Sequence, residues 1–203
     1  MTQEFDLTFQ YKGARDYVHG TDIYNLSVEA LKKLGYSDLI GFDMSFHKVI
    51  EGNLRCEIFE GKSISSSEDL AVLIRFRNNN TDYVLSMREN GEPIEGRYPY
   101  PEDEICQAGV IDFEARSIKL THFSGHTIIE KIVALNKHLL SQLFKEELGK
   151  WYFGKLQLDK DISVLDIDNF QIKLERNIGV KFTKSTIILD GEQVGSIFFS
   201  MKF

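Results

Sequence analysis

The sequence predicts an α+β fold made of two similar halves, each a β-α-β-β-β unit in which a strand and a helix precede three or more strands. Three observations predict it. An amphipathic helix follows a short strand in the second half, the first half repeats that order of elements, and Asp190-Gly191 is a strong signal for a two-residue hairpin near the C-terminus.

The second half begins with a predicted strand at 117–121 and a long helix after it. Thr127 and Glu130 have the spacing of a capping box, so we expect the helix to begin there and to end near Gly149. The apolar residues of the helix form the two rows of a helix buried on one side: Ile128, Ile129, Ile132, Val133, Leu135, Leu139, Leu140, Leu143 and Phe144. Four more strands are expected, at 151–158, 170–175, 180–189 and 193–203.

The first half follows the same plan with a shorter helix. A strand is expected at 5–11 and a helix at 21–34 that ends at Gly35. The strands after it are expected at 39–47, 53–60, 70–78 and 83–88. Aligning Gly20 with Gly125 aligns the two predicted helices, and Leu31 then aligns with Asn136.

The segment 91–104 differs in composition from both halves. It holds all the prolines of the chain, Pro93, Pro99 and Pro101, together with two tyrosines and several acidic residues. We interpret it as the connection, which gives a first unit at 1–90, a linker at 91–104 and a second unit at 105–203.

A polar turn precedes the second predicted helix. It reads His122-Phe123-Ser124-Gly125 and ends beside the first free N–H groups of the helix, where the helix dipole favours an anionic or polarised oxygen. The run resembles the His-Phe-x-Gly turn of the β-hydroxyacyl-carrier-protein dehydratases of the hotdog fold. This resemblance implies a tandem (double) hotdog, in which two units wrap a curled antiparallel sheet around central helices and join edge to edge.

The resemblance also implies roles for individual residues. His122 matches the base that removes the α-proton of a β-hydroxyacyl thioester, and Gly125 matches the turn where a backbone N–H polarises the thioester carbonyl. His126 takes the place of His122 if the turn is shifted. The carboxylate of the family falls on Asn136 or Leu31, and an amide holds a hydroxyl or a water but cannot supply a proton at neutral pH.

The turn before the first helix has its own set of polar side chains. Residues 17–25 contain Tyr17, His19, Gly20, Thr21, Asp22, Tyr24 and Asn25. Asp22 and Asn25 resemble the acidic residue and the asparagine near the helix start of hotdog acyl-CoA thioesterases, where a carboxylate activates water or attacks the thioester. The alternative interpretation is that Asp22 or Thr21 is the N-cap of the helix. Tyr17, Gly20 and Asn25 of this turn are candidate substrate-binding residues.

Composition narrows the classes of partner and location. A formal net charge of −7 argues against non-specific nucleic-acid binding, which needs clustered Lys and Arg. The sequence shows neither an apolar run of transmembrane length nor a secretory signal, so we expect a cytoplasmic protein without a membrane partner. Cys56 and Cys106 are isolated, which favours reduced structural thiols over a disulfide. No spacing indicates a metal site or a phosphate-binding loop, so we expect no cofactor.

Three functions remain open from the sequence. The first is a dehydratase-like enzyme of fatty acid or polyketide metabolism that acts on acyl-carrier-protein or coenzyme A thioesters through His122. The second is a thioesterase that uses Asp22 with His19. The third is a non-catalytic acyl-binding protein. A homodimer of double-hotdog chains is a further expectation.

Overall fold

The structure is a computed structural model, and it describes residues 2–61, 68–123, 125–163, 165, 167, 169–179 and 181–202. The chain divides into two compact units, Met1–Tyr100 and Pro101–Phe203. Each unit contains an antiparallel sheet and a helix of more than three turns. The α+β class is therefore confirmed.

The first unit contains one helix and two sheets in its described part. Its elements are β1 (Gln3–Leu7), β2 (Tyr11–Lys12), α1 (Gly20–Lys33), β3 (Ile40–Phe46), β4 (Leu54–Glu60), β5 (Val72–Asn78), β6 (Thr81–Glu89) and β7 (Arg97–Tyr98). The main sheet has the order β1-β4-β6-β5-β3, with antiparallel neighbours. The short strands β2 and β7 form a separate parallel pair, which the sequence did not predict.

Helix α1 buries one face and ends where the sequence predicted. Ile23 and Leu31 have no exposed surface, and the ring of Tyr24 meets the ring of Phe42 on β3 edge to face. Gly35 has a φ of +94°, and its N–H donates to the carbonyl of Lys32. This is the first bond of a Schellman ending, which requires a residue in the left-handed region and therefore favours glycine.

The second unit has more strands in its sheet than the sequence predicted. Its elements are α2 (Glu102–Ala108), β8 (Val110–Asp112), β9 (Ser117–Thr121), α3 (Ile128–Leu143), β10 (Lys150–Leu158), β11 (Asn169–Ile178), β12 (Phe182–Leu189) and β13 (Glu192–Lys202). The order is β10-β13-β12-β11-β9-β8. Asp190 and Gly191 join β12 to β13 with φ values of +48° and +84°, as the hairpin signal predicted.

Helix α3 packs against strands of the sheet in its own unit. The predicted capping box is present: the hydroxyl of Thr127 accepts from the N–H of Glu130, and the carboxylate of Glu130 accepts from the N–H of Thr127. The predicted C-terminus was wrong, because α3 ends at Leu143. Gly149 has a packing role instead, since a Cβ there would overlap the side chain of Met201.

The two units share an order of elements but not a strand pairing. In the first unit β6 lies between β4 and β5, whereas in the second unit β12 lies between β11 and β13. The helix starts also correct the alignment that we expected from the glycines. Gly20 is the first residue of α1 and corresponds to Ile128, the first residue of α3, so Val28, and not Leu31, is the residue of α1 equivalent to Asn136.

Two elements lie in the segment 91–104 that we interpreted as a linker. Strand β7 belongs to the first unit, and α2 begins at Glu102 and packs against α3 in the second unit. Within the described ranges, none of the helices is both long and apolar enough to cross a membrane.

Candidate active site

The N-terminus of α1 brings several predicted residues together. His19 is the N-cap residue with extended backbone angles, and its Nδ1 lies 2.6 Å from Oγ1 of Thr21. The alternative that Thr21 or Asp22 is the N-cap is therefore wrong. Both belong to the first turn of the helix, and this leaves their side chains available for tertiary contacts.

Asp22 forms an ion pair with a lysine that has no exposed surface. Nζ of Lys12 lies 2.7 Å from Oδ1 of Asp22, and the side chain of Asp22 is 13% exposed. The same ammonium donates to Oγ1 of Thr21 at 3.1 Å and lies 4.4 Å from the ring centre of Tyr100. Such contacts replace the hydration that a cation loses when it is buried.

The second oxygen of Asp22 is held from another part of the chain. The hydroxyl of Tyr98 donates to Oδ2 of Asp22 at 2.7 Å. Lys12 and Tyr98 are opposite each other in the parallel pair of β2 and β7. This pair of short strands therefore places a donor on each oxygen of the carboxylate.

A cleft of about 380 Å³ opens beside this carboxylate. Its lining combines polar and apolar side chains of the first unit: Thr8, Phe9, Gln10, Asp22, Asn25, Leu26 and Tyr98. Asn25 lies one helical turn after Asp22, so both point to one side of α1. The cleft thus has a carboxylate, an amide and a phenol beside an apolar wall, the combination typical of small-molecule sites.

The other predicted residues of this turn lie close by in the chain. Tyr17 is half-buried in the loop before α1, and Gly20 is the first helical residue. The structure therefore groups His19, Asp22 and Asn25 around one helix start.

The turn before α3 has a different character. His122 follows β9, is exposed, and has a φ of +51°, in the left-handed region that few residues other than glycine adopt. Gly125 is exposed with a φ of +92°, and Ser124 lies outside the described residues. The more enclosed histidine is His126, whose ring stacks on Phe123 with centroids 5.7 Å apart.

Asn136 lies deep in the second unit. It has no exposed surface, and among the described residues neither its amide nitrogen nor its amide oxygen has a hydrogen-bond partner. Lys131 on the same helix is 7% exposed, with its ammonium 5.0 Å from the ring centre of Phe170. Burial lowers the pKa of Lys131. The sequence did not predict a buried lysine on this helix.

Sequence reasoning also missed Lys12, Tyr98 and Tyr100. Lys12 is an isolated lysine between a tyrosine and a glycine, a pattern more typical of a solvated loop. Tyr98 and Tyr100 lie among prolines in the segment interpreted as a linker. Two aromatic residues in so short a connection were the available signal, because a solvated linker has little use for large rings.

No protein-family model and no curated protein matches the sequence. Solved structures do share the fold. The tesB protein of Mycobacterium avium subs paratuberculosis is similar with a TM-score of 0.57 and 10% identity, over 98% of this chain and 93% of that chain. The dehydratase domain of PpsC from Mycobacterium tuberculosis, in complex with C12:1-CoA, is similar with a TM-score of 0.52 and 9% identity, over 99% and 93%.

These similarities define the class of fold. The hotdog resemblance first noted at the turn of His122 is confirmed at the level of the fold, and it extends over nearly the whole chain. A second structure of the PpsC dehydratase domain agrees, with a TM-score of 0.51 and 10% identity over 99% of this chain and 92% of that chain. At such identities the similarity concerns the fold alone.

Proposed function

We propose that this protein hydrolyses an acyl thioester of coenzyme A or of an acyl-carrier protein, in a tandem (double) hotdog, at the cleft beside Asp22. The observation that supports hydrolysis is the carboxylate of Asp22, which Lys12 and Tyr98 hold in the wall of a cleft large enough for a substrate. An ionised carboxylate accepts hydrogen bonds and can take a proton from a water molecule, so it suits activation of water.

The reaction follows from these positions. Asp22 accepts a proton from a water molecule, whose oxygen bonds to the thioester carbonyl carbon. The negative charge that develops on the carbonyl oxygen is stabilised by the positive end of the α1 dipole and by the amide N–H₂ of Asn25. The C–S bond then breaks, and the sulfur takes up the proton that Asp22 had accepted, so the carboxylate is regenerated and the products are a carboxylic acid and a free thiol.

The size of the cleft suits a short acyl group. A cleft of about 380 Å³ holds roughly a dozen water-sized groups of about 30 Å³ each. Phe9 and Leu26 supply the apolar part of the lining. We therefore expect short or medium acyl chains to be hydrolysed faster than long ones.

Dehydration at His122 is the second candidate. The left-handed backbone of His122 supports it, because residues in sparsely populated conformations cluster at active sites. The capping box after Gly125 also gives α3 a defined N-terminus. In this function His122 is the base, Gly125 marks the carbonyl site, and Asn136 orients the hydroxyl.

The test measures two products from one set of substrates. The protein is incubated with acyl and β-hydroxyacyl thioesters of coenzyme A and of carrier protein, while free thiol and enoyl absorbance are both recorded. Hydrolysis predicts thiol release, and Asp22→Asn is expected to reduce it by roughly 10² to 10⁴-fold. Asp6→Asn is the matched control, since Asp6 is an exposed partner of Arg55.

Binding is measured separately by thermal unfolding. A thioester that binds only the folded protein raises the melting temperature. Enoyl formation without thiol release would favour the second candidate. A stabilising shift with neither product would indicate an acyl-binding protein, and the absence of a shift and of both products would contradict all three functions.

A further inference from the structure

We infer that Lys12 and Tyr98 are positioning residues for Asp22, which hold its carboxylate in one orientation toward the cleft. This inference rests on the proposed function, because it assigns Asp22 the reacting group. It adds two residues that are distant in sequence and that neither the helix start nor its motif indicates.

The burial of Lys12 is the first step. An ammonium without solvent contact is costly, and an apolar pair of similar size is often more stable than a buried ion pair. Fold stability alone therefore does not favour a lysine at this position. Lys12 does supply a fixed positive charge 2.7 Å from Oδ1 of Asp22. The ring face of Tyr100 covers the cation and so limits the directions in which it can move.

The two oxygens of Asp22 give the second step. Oδ1 accepts from Lys12 and, at 3.4 Å, from the hydroxyl of Thr21, and Oδ2 accepts from Tyr98. A carboxylate has about four lone-pair directions, so acceptor capacity remains for a water molecule. Because both oxygens are held, rotation of the carboxylate breaks at least one charge-assisted hydrogen bond.

The parallel pair of β2 and β7 gives the third step. Two strands of two residues each have little stability of their own. Arg97 on β7 reinforces the pair, because its guanidinium donates to the carbonyl oxygens of Gly13 and Arg15 in the loop before α1. The segment after β6 is thereby held against the loop that leads to Asp22, and Tyr98 is placed opposite Lys12.

The polar groups around Asp22 form one connected set. Thr21 accepts from Lys12 and lies 2.6 Å from Nδ1 of His19, and the ring of His19 lies 5.7 Å from that of Tyr100. Arg15 is also positioned over the Tyr100 ring. The charged or titratable groups of this set are Lys12, Arg15, His19, Asp22, Tyr98 and Tyr100.

The experiment is a double-mutant cycle on Lys12 and Asp22. Lys12→Met, Asp22→Asn and the double variant are compared with the wild type in melting temperature and in kcat for thiol release. Lys12→Met is expected to lower kcat by about 10²-fold with a smaller change in KM, since misplacement of a catalytic group has this effect. Lys33→Met is the matched control, because Lys33 forms an exposed ion pair with Glu29, and both residues lie on α1.

Coupling is the expected result of the cycle. Lys12→Met leaves a mostly buried carboxylate without its cation and is expected to lower the melting temperature by about 10 °C. Adding Asp22→Asn should recover most of that loss, and the double variant should be no slower than Asp22→Asn alone. Additive effects on both quantities would overturn the inference.

Tyr98→Phe keeps the inference testable if Lys12→Met does not fold. It removes one hydroxyl, so kcat should fall by about tenfold or more while the melting temperature changes little. KM should change less than kcat, since misplacement of a catalytic group acts on the reaction step. Tyr11→Phe is the control on the neighbouring strand. An unchanged kcat in Tyr98→Phe would overturn the role of Tyr98.

The cycle separates this inference from the proposed function. If the wild type releases no thiol from any thioester, the proposed function fails, and coupling in melting temperature alone still decides whether Lys12 fixes Asp22. If the wild type is active and Lys12→Met retains its full kcat, the inference fails while the proposed function stands.

Discussion

Nδ1 of His19 lies 2.6 Å from Oγ1 of Thr21, and that hydroxyl also accepts a hydrogen bond from the buried ammonium of Lys12. Thr21 has no exposed surface, so water cannot replace these contacts. The hydroxyl of Thr21 therefore connects the N-cap of α1 to the ion pair at Asp22. Lys12 and His19 both have this hydroxyl as a hydrogen-bond partner.

Thr21→Val removes this hydroxyl and keeps the shape of the side chain. We expect a loss of about 1–3 kcal/mol in the free energy of unfolding, because Lys12 and His19 each lose a buried partner. Thiol release should fall as well. Urea unfolding measures the first effect. Thr21→Ser, which restores the oxygen, should return most of the stability, and equal losses in both variants would contradict the explanation.

His122→Ala distinguishes the two candidate reactions. If hydrolysis occurs at Asp22, thiol release should stay within about twofold of the wild-type rate, whereas dehydration through His122 would lose roughly 10² to 10⁴-fold. Both rates are measured on the same preparation. His126→Ala is the comparison, since that ring stacks on Phe123. A larger loss of enoyl formation in His126→Ala than in His122→Ala would move the base to His126.

The capping box of α3 makes a measurable contribution to stability. Thr127→Ala removes the oxygen that accepts from the N–H of Glu130, and we expect a loss of about 1 kcal/mol in the free energy of unfolding. Thr127→Ser keeps that oxygen and should lose much less. Chemical denaturation of the wild type and of the two variants measures these free energies of unfolding. Equal stability of the alanine variant and the wild type would show that the box contributes nothing.

Gly195 on β13 lies too close to the neighbouring strand for any side chain. A Cβ there would overlap the backbone carbonyl of Gln157 on β10, so Gly195→Ala must displace backbone and should cost about 3 kcal/mol. Gly154→Ala is the matched control on β10, where the nearest atom to a Cβ is 3.6 Å away. Melting curves that show equal stability for the two variants would contradict this packing.

Cys56 should give stability an alkaline limit. Burial raises the pKa of its thiol from 9.0 to about 12, so the folded state keeps a proton that the unfolded chain releases above pH 9. The contribution is complete below pH 9 and is lost as the pH rises toward 12. Between pH 8.5 and 10.5 we expect a loss of about 2 kcal/mol beyond that of Cys56→Ala. Parallel pH dependences of the two proteins would contradict this expectation.

The sequence determined the local elements well because their signals are local. The capping box at Thr127, the glycine ending at Gly35 and the Asp190-Gly191 hairpin each depend on residues within a few positions, and all three are confirmed. Gly149 shows the limit of such signals. Its position suggested a helix end, but the contact that a side chain would disturb is with Met201, on a strand far along the chain.

The candidate site also has residues that the sequence indicated and residues that it did not indicate. A cluster of polar residues before α1 was visible from His19, Asp22 and Asn25, since helix periodicity places them at one helix start. The partners of Asp22 were not visible. Lys12 and Tyr98 meet it only because β2 and β7 pair across more than eighty residues, and pairing of two-residue strands has no periodic signal in the sequence. The sequence alone thus determined where a reactive carboxylate could lie, and tertiary packing decided which cation and which hydroxyl hold it.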